Sequence, residues 1–134
     1  MTWGVPEGAD EMSEAKARPP GGRAEDVVRY ADMFSAIGTE PRLRILRLLL
    51  AAHPDGLVAG DIQAELDIPA STLSHHLEKL RHEGLVTVRR EGTFLRYAAG
   101  TETLGELLGF LYAECCTRSR AVNPKEIAWI GRGR

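Results

Sequence analysis

Apolar positions recur with a helical period through most of the chain from Arg23 to Cys116, and the period changes to alternation once, after Gly84. Val27, Ala31 and Phe34, with Val28 and Ile37 beside them, predict a helix that Gly38 ends. Thr39 is the expected cap of a second helix. Pro41 falls in its first turn, Leu43, Leu46 and Leu50 share one face, and Ile45 and Leu49 widen it. His53-Pro54-Asp55-Gly56 reads as a turn, and a short third helix is expected over about Val58 to Leu66, with Ile62 and Leu66 inward. Asp67-Ile68-Pro69-Ala70 leads into a fourth helix whose apolar stripe is Leu73, Leu77 and Leu80 and whose expected N-cap is Ser71. Two short helices joined so tightly predict a helix-turn-helix. Leu85 to Arg90 and Phe94 to Ala98 then read as strands of a hairpin with Glu91-Gly92-Thr93 at its tip.

The last helix begins near Thr101 or Thr103 and carries Leu104, Leu107, Leu108, Leu111, Tyr112 and Cys115 on one stripe. That is more apolar surface than the periphery of so small a core requires. Gly105 and Gly109, four apart beside the stripe, would let another backbone approach, although each costs about 1 kcal/mol relative to Ala in a helix. The expected fold is mainly α with a small β-hairpin: a winged helix-turn-helix that dimerises through its terminal helices. Such a symmetric dimer places two recognition helices about one DNA turn apart. The domain spans 23–116, between an N-terminal tail over 1–22 and a C-terminal tail over 117–134. The first tail mixes Gly, Pro and small residues without periodicity and reads as disordered. In the second, Ile127, Trp129 and Ile130 are the residues expected to dock.

Composition narrows the function. At 134 residues this is one domain, with no apolar run long enough for a bilayer and no apolar signal region at its start. A cytoplasmic protein with no membrane partner is expected. The net charge of −2 is not that of a globally basic nucleic-acid binder, so a local face must supply the attraction. The fourth helix offers one. Ser71, Thr72, His75, Lys79 and His82 lie opposite its leucine stripe, with Ser74 and His76 flanking it. Short hydrogen-bonding side chains there suit base edges in a major groove. Arg89, Arg90 and Arg96 crowd the hairpin, where they suit phosphate or minor-groove contact. The expected partner is double-stranded DNA, contacted by Ser71, Thr72, Ser74, His75, His76, Lys79, Arg89, Arg90 and Arg96. The alternative of another class is a winged-helix protein-interaction module, against which the polar helix face and basic hairpin argue. An enzyme is not expected, because no nucleophile has a placed base and no phosphate loop is present. The histidines lack a carboxylate or thiol at metal-ligand spacing.

Cys115 and Cys116 are the only cysteines, and as neighbours they are not a disulfide framework. Cys115 continues the apolar stripe and could be an inert core residue; a second free thiol has no packing reason to follow it.

The run Ser71-Thr72-Leu73-Ser74-His75-His76-Leu77, then Leu80, then Gly84-Leu85-Val86, resembles the recognition helix and wing of the ArsR/SmtB repressors. Phe34-Ser35-Ala36-Ile37-Gly38 with Pro41-Arg42-Leu43-Arg44-Ile45-Leu46 resembles another segment of that family. The similarity covers roughly Glu25 to Cys116. It implies a homodimer that binds an inverted-repeat operator and releases it when an effector binds. The family's third-helix cysteine site has no counterpart in Ala59 to Leu66, and its terminal-helix zinc site none in Thr103 to Cys116, which offers Glu106 and Glu114 but no His. Phe110-Leu111-Tyr112-Ala113-Glu114-Cys115-Cys116 does resemble the end of the last helix in arsenic-responsive members, where a third Cys often follows; it is absent here.

Soft trivalent arsenic or antimony prefers thiolates. Neighbouring cysteines project about 100° apart on an ideal α-helix, so they can share one ion only if the helix frays or ends there. An organic arsenical such as methylarsenite fills one arsenic position with carbon and needs two sulfurs, which this pair supplies; a third ligand could come from the other subunit or a small thiol. The expected effector is therefore a trivalent arsenical or antimonite at Cys115 and Cys116, with no permanent cofactor. A thiol redox or persulfide-responsive repressor of the same fold is the alternative.

Overall fold

A computed structural model of the chain describes residues 24–118, 121–123, 125 and 126, with backbone alone at 116–118. The expected N-terminal tail, and Ile127, Trp129 and Ile130, lie outside the described residues. The elements are α1 (Ala24–Ile37), α2 (Glu40–Ala51), β1 (Leu57–Val58), α3 (Ala59–Leu66), α4 (Ala70–His82), β2 (Val86–Glu91), β3 (Phe94–Ala99) and α5 (Thr101–Tyr112), followed by a π-helical turn, Ala113–Arg118. Two compact units result. Val28–Leu107 forms one, and the described residues before and after it belong to the other.

The core of the Val28–Leu107 unit is built from Tyr30, Met33 and Ala36 of α1, Ile45, Leu46 and Leu49 of α2, Ile62 of α3, and Leu73, Leu77 and Leu80 of α4. Leu85, Val86, Ala99 and Leu107 complete it. The α4 stripe is the predicted one. On α1 the predicted phase is wrong, with Val27, Ala31 and Phe34 exposed; on α2 the expected Ile45, Leu46 and Leu49 are buried, while Leu43 and Leu50 are exposed. Both helices are apolar on more than one side, so the period identifies the helix while its neighbours choose the buried face.

The hairpin is the edge pair of a three-stranded antiparallel sheet in the order β1-β3-β2. β1 pairs Leu57 with Tyr97 and Val58 with Arg96, so Val58, expected to begin the third helix, is a strand residue; two residues carry no readable period. Gly56 makes this pairing possible. Its φ is +76°, and a Cβ there would lie 2.2 Å from the Tyr97 carbonyl oxygen. The turn at the hairpin tip is tighter than expected, since Glu91 and Phe94 pair directly across Gly92-Thr93.

The start of α4 also differs from expectation. Pro69, not Ser71, is the N-cap, and it caps through its carbonyl, which accepts the Leu73 N–H at 2.9 Å. Ser71 lies inside the first turn, its side chain exposed. Thr39 has the extended backbone of an N-cap but makes no side-chain capping bond, and its carbonyl accepts from Leu43. At the far end of α4, Gly84 N–H donates to Arg81 O at 2.9 Å and Leu85 N–H to Leu80 O at 3.0 Å. These two bonds form a Schellman motif, with Leu80 and Leu85 buried together as its apolar clasp. This junction fixes the hairpin to the end of α4.

Candidate functional site

The helix-turn-helix consists of α3, the turn Asp67-Ile68-Pro69 and α4. Asp67 ends α3 in the left-handed conformation, φ 54°, which Asp tolerates better than most residues. Opposite the buried leucines of α4, Ser71, Thr72, Ser74, His75 and Lys79 are all exposed, as is His82. The structure therefore brings these predicted residues onto the open side of one helix.

His76 is different. It is half-buried, and its Nδ1 lies 3.3 Å from Arg42 Nη1. The Nε of Arg42 donates to the carbonyl of Ala36, so one guanidinium ties together α1, α2 and α4. Because Arg42 can only donate, the contact requires a neutral His76 with its proton on Nε2. Burial, then the Arg42 charge, then His75 lower the His76 pKa below the ordinary 6.5. Beside this contact a cleft of about 460 Å3 is lined by Asp32, Arg42, His75, Glu78, Lys79 and His82 among others. Neither the bracing role of Arg42 nor this cleft of mixed charge was legible in the sequence, where Arg42 is one of several arginines on a helix.

The hairpin arginines do not form one patch. Arg89 and Arg96 are direct cross-strand partners, whereas Arg90 pairs with Leu95 and so lies on the opposite face of the ribbon. Glu91 accepts from Arg89 Nε at 3.0 Å and from Arg96 Nε at 2.8 Å. Arg96 also donates to Gly56 O at 3.2 Å. The hydrogen bonds from Arg96 and then Arg89 hold the Glu91 carboxyl below the usual carboxylate range. Arg96 is thus braced against the turn preceding β1, and Arg90 is the exposed wing arginine on the other face.

Cys115 lies in the π-helical turn, half-buried, with its Sγ 3.9 Å from Tyr112 O. It borders an apolar cavity of about 750 Å3 together with Leu108, Leu111, Tyr112, Ala121 and Val122. The side chain of Cys116 lies outside the described residues. The α-helix therefore gives way to a π turn, instead of ending, where the thiols occur. Its i→i+5 bonding widens the turn and changes the angle between successive side chains. Among the described residues no group of three or more His, Cys, Asp or Glu side chains is placed to hold a metal ion.

Fold and exposed helix face define a winged helix-turn-helix domain. A family profile described as "Helix-turn-helix domain" matches residues 38–89. A Halobacterium salinarum protein named "Putative arsenical resistance operon repressor ArsR2" is 35% identical over 103 residues, covering 76% of this chain and 85% of the relative. Transcriptional repressor SdpR of Bacillus subtilis is 30% identical over 80 residues, covering 60% of this chain and 86% of its own. Among solved structures, HlyU from Vibrio cholerae superposes with a TM-score of 0.56 at 29% identity, covering 70% of this chain and 99% of that one.

The chain belongs to the ArsR/SmtB family of helix-turn-helix transcriptional regulators. The names of its relatives point to a DNA-binding transcriptional repressor and not to an enzyme, although the Vibrio cholerae HlyU sequence is named an activator. Among the described residues no helix is long and apolar enough to cross a membrane.

Proposed function

We propose that the chain is a homodimeric repressor that holds an inverted-repeat operator and releases it when a trivalent arsenical is captured at Cys115 and Cys116. The observation that carries the effector reading is the position of the Cys115 thiol on an apolar cavity at the end of α5. Two thiols condensing with methylarsenite form two arsenic–sulfur bonds and release two waters, leaving the methyl group on arsenic. An apolar wall of Leu108, Leu111 and Tyr112 suits that methyl group better than the hydroxyl that inorganic arsenite would retain. The Halobacterium relative named for arsenical resistance supports the same reading.

Dimerisation is supported by uncovered apolar surface. On α5, Leu108 is 57%, Leu111 41% and Tyr112 48% exposed, and a Cβ added at Gly105 would meet nothing within 4 Å. On α1, Val27, Val28 and Phe34 are likewise exposed. A second copy covering these side chains recovers about 25 cal/mol for each Å2 of apolar area removed from water. Capture of an arsenical in the turn that continues α5 would then deform a dimerising helix and lower the DNA-competent population.

The test is the double substitution Cys115→Ser, Cys116→Ser. Operator affinity is expected to stay at the wild-type level while release by methylarsenite is lost. Release that survives the double substitution refutes the assignment.

A further inference from the structure

We propose that Glu91 limits the affinity of the wing for any duplex: it occupies in cis the guanidinium donors that DNA phosphates would take, and so restrains sequence-independent binding. The inference rests on the reading of this chain as a DNA-binding regulator whose wing meets the duplex.

The register of the hairpin makes the arrangement specific. Arg89 and Arg96 lie directly opposite each other on β2 and β3, a like-charge pair that is unfavourable by itself. Glu91 lies two residues beyond Arg89 on the same face of β2. Its two carboxylate oxygens are divided between the arginines: Oε2 takes Arg89, with Nη2 at 2.8 Å, and Oε1 takes Arg96, with Nε at 2.8 Å. One carboxylate therefore halves the net charge of a pair of wing arginines. The Arg96 contact is the more enclosed, with 27% of its side chain exposed, while the Arg89 contact is near the surface, with 60% of the Arg89 side chain and 37% of the Glu91 side chain exposed. Pairs so exposed are weak, so a phosphate with comparable geometry can displace the carboxylate.

Displacement has a cost that recurs with every duplex, whatever its sequence. The α4 face carries the base-reading groups and is untouched by Glu91, so the penalty falls equally on operator and unrelated DNA. The ratio of the two affinities is unchanged; what falls is the absolute hold on both, which for unrelated DNA is already weak. In a chain of net charge −2 this keeps binding dependent on the recognition helix.

The experiment uses the full chain and a short duplex of unrelated sequence, titrated over a range of salt concentrations. Glu91→Gln is near-isosteric and Glu91→Thr is a good strand former, so the result does not hang on one variant's folding. Both are expected to bind unrelated DNA about three- to tenfold more tightly than wild type, as loss of a weak ion pair at each arginine implies. The salt dependence should steepen by about 0.9 in log–log slope for each phosphate newly engaged. Adding Arg89→Ala to Glu91→Gln should abolish most of the gain. Unchanged or weaker binding by both Glu91 variants, with Arg89→Ala alone weakening binding, overturns the restraint and makes Glu91 a positioning residue for the wing. If Arg89→Ala, Arg90→Ala and Arg96→Ala each leave affinity unchanged, the wing does not meet DNA, and the underlying reading fails with the proposal.

Discussion

Arg42 and His76 meet at 3.3 Å beside the middle of α4, and the contact exists only while the imidazole is neutral. A pH dependence follows from this geometry. The folded chain holds the His76 pKa below the ordinary 6.5, through burial first and the Arg42 charge second. Between that depressed value and 6.5 the unfolded chain binds the proton more readily, so stability rises with pH in this window. The contribution is fully present above 6.5 and is lost as pH falls through the folded pKa. Arg42→Ala removes the neighbouring cation and is expected to raise the His76 pKa and flatten the acid-side loss. NMR titration of the imidazole, with thermal melts at stepped pH, checks both.

Thr39 presents the opposite case, a polar group with no gain from its position. Its Oγ1 is buried and has no hydrogen-bond partner among the described residues. An unsatisfied buried hydroxyl costs about 1–3 kcal/mol. Thr39→Val keeps the branched shape and removes the hydroxyl, so the variant is expected to be as stable as wild type or more stable by up to about 1 kcal/mol. Urea denaturation measures the difference, and a loss of stability would mean that the hydroxyl has a partner.

The exposed face of α4, the proposed DNA-contacting surface, is expected to make two kinds of contact. Lys79→Ala is expected to weaken binding to all sequences alike and to reduce the salt slope by about one. His75→Ala, or Ser71→Ala, is expected to cost about 1–3 kcal/mol at one base position and to relax preference there. Affinities for a set of singly substituted operators distinguish the two patterns.

Helix and strand assignments were largely legible because periodicity registers local geometry. The α4 stripe of Leu73, Leu77 and Leu80 illustrates this: a single apolar side on a polar helix leaves one way to bury it. α1 was legible as a helix but not in phase, since Tyr30, Met33 and Ala36 compete with Val27, Ala31 and Phe34 for the core. β1 was invisible because its two residues are a strand only through pairing with Tyr97 and Arg96. The exposed residues of α4 could be named from sequence, but the pairing of Arg42 with His76 and the sharing of Glu91 by two arginines are tertiary and cross-strand facts. The π turn at Cys115 likewise has no signature in an apolar stripe that continues through it.

The uncovered side of α5 predicts the consequence of placing a charge there. Leu111 is 41% exposed and is expected to contact a second copy. Leu111→Glu should therefore leave the Val28–Leu107 unit folded while converting dimer to monomer and weakening operator binding. Light scattering coupled to size-exclusion chromatography reports the oligomeric state; a dimer that persists would relocate the interface.

The central claim is tested most directly by titrating the protein bound to its own upstream DNA, in parallel, with arsenite, methylarsenite, antimonite, zinc and peroxide while following DNA anisotropy. The account predicts release by the trivalent arsenicals, strongest for methylarsenite, with zinc and peroxide inactive. Release by zinc would place the effector ligands elsewhere, and release by peroxide alone would make Cys115 and Cys116 a redox switch, contradicting the arsenical reading.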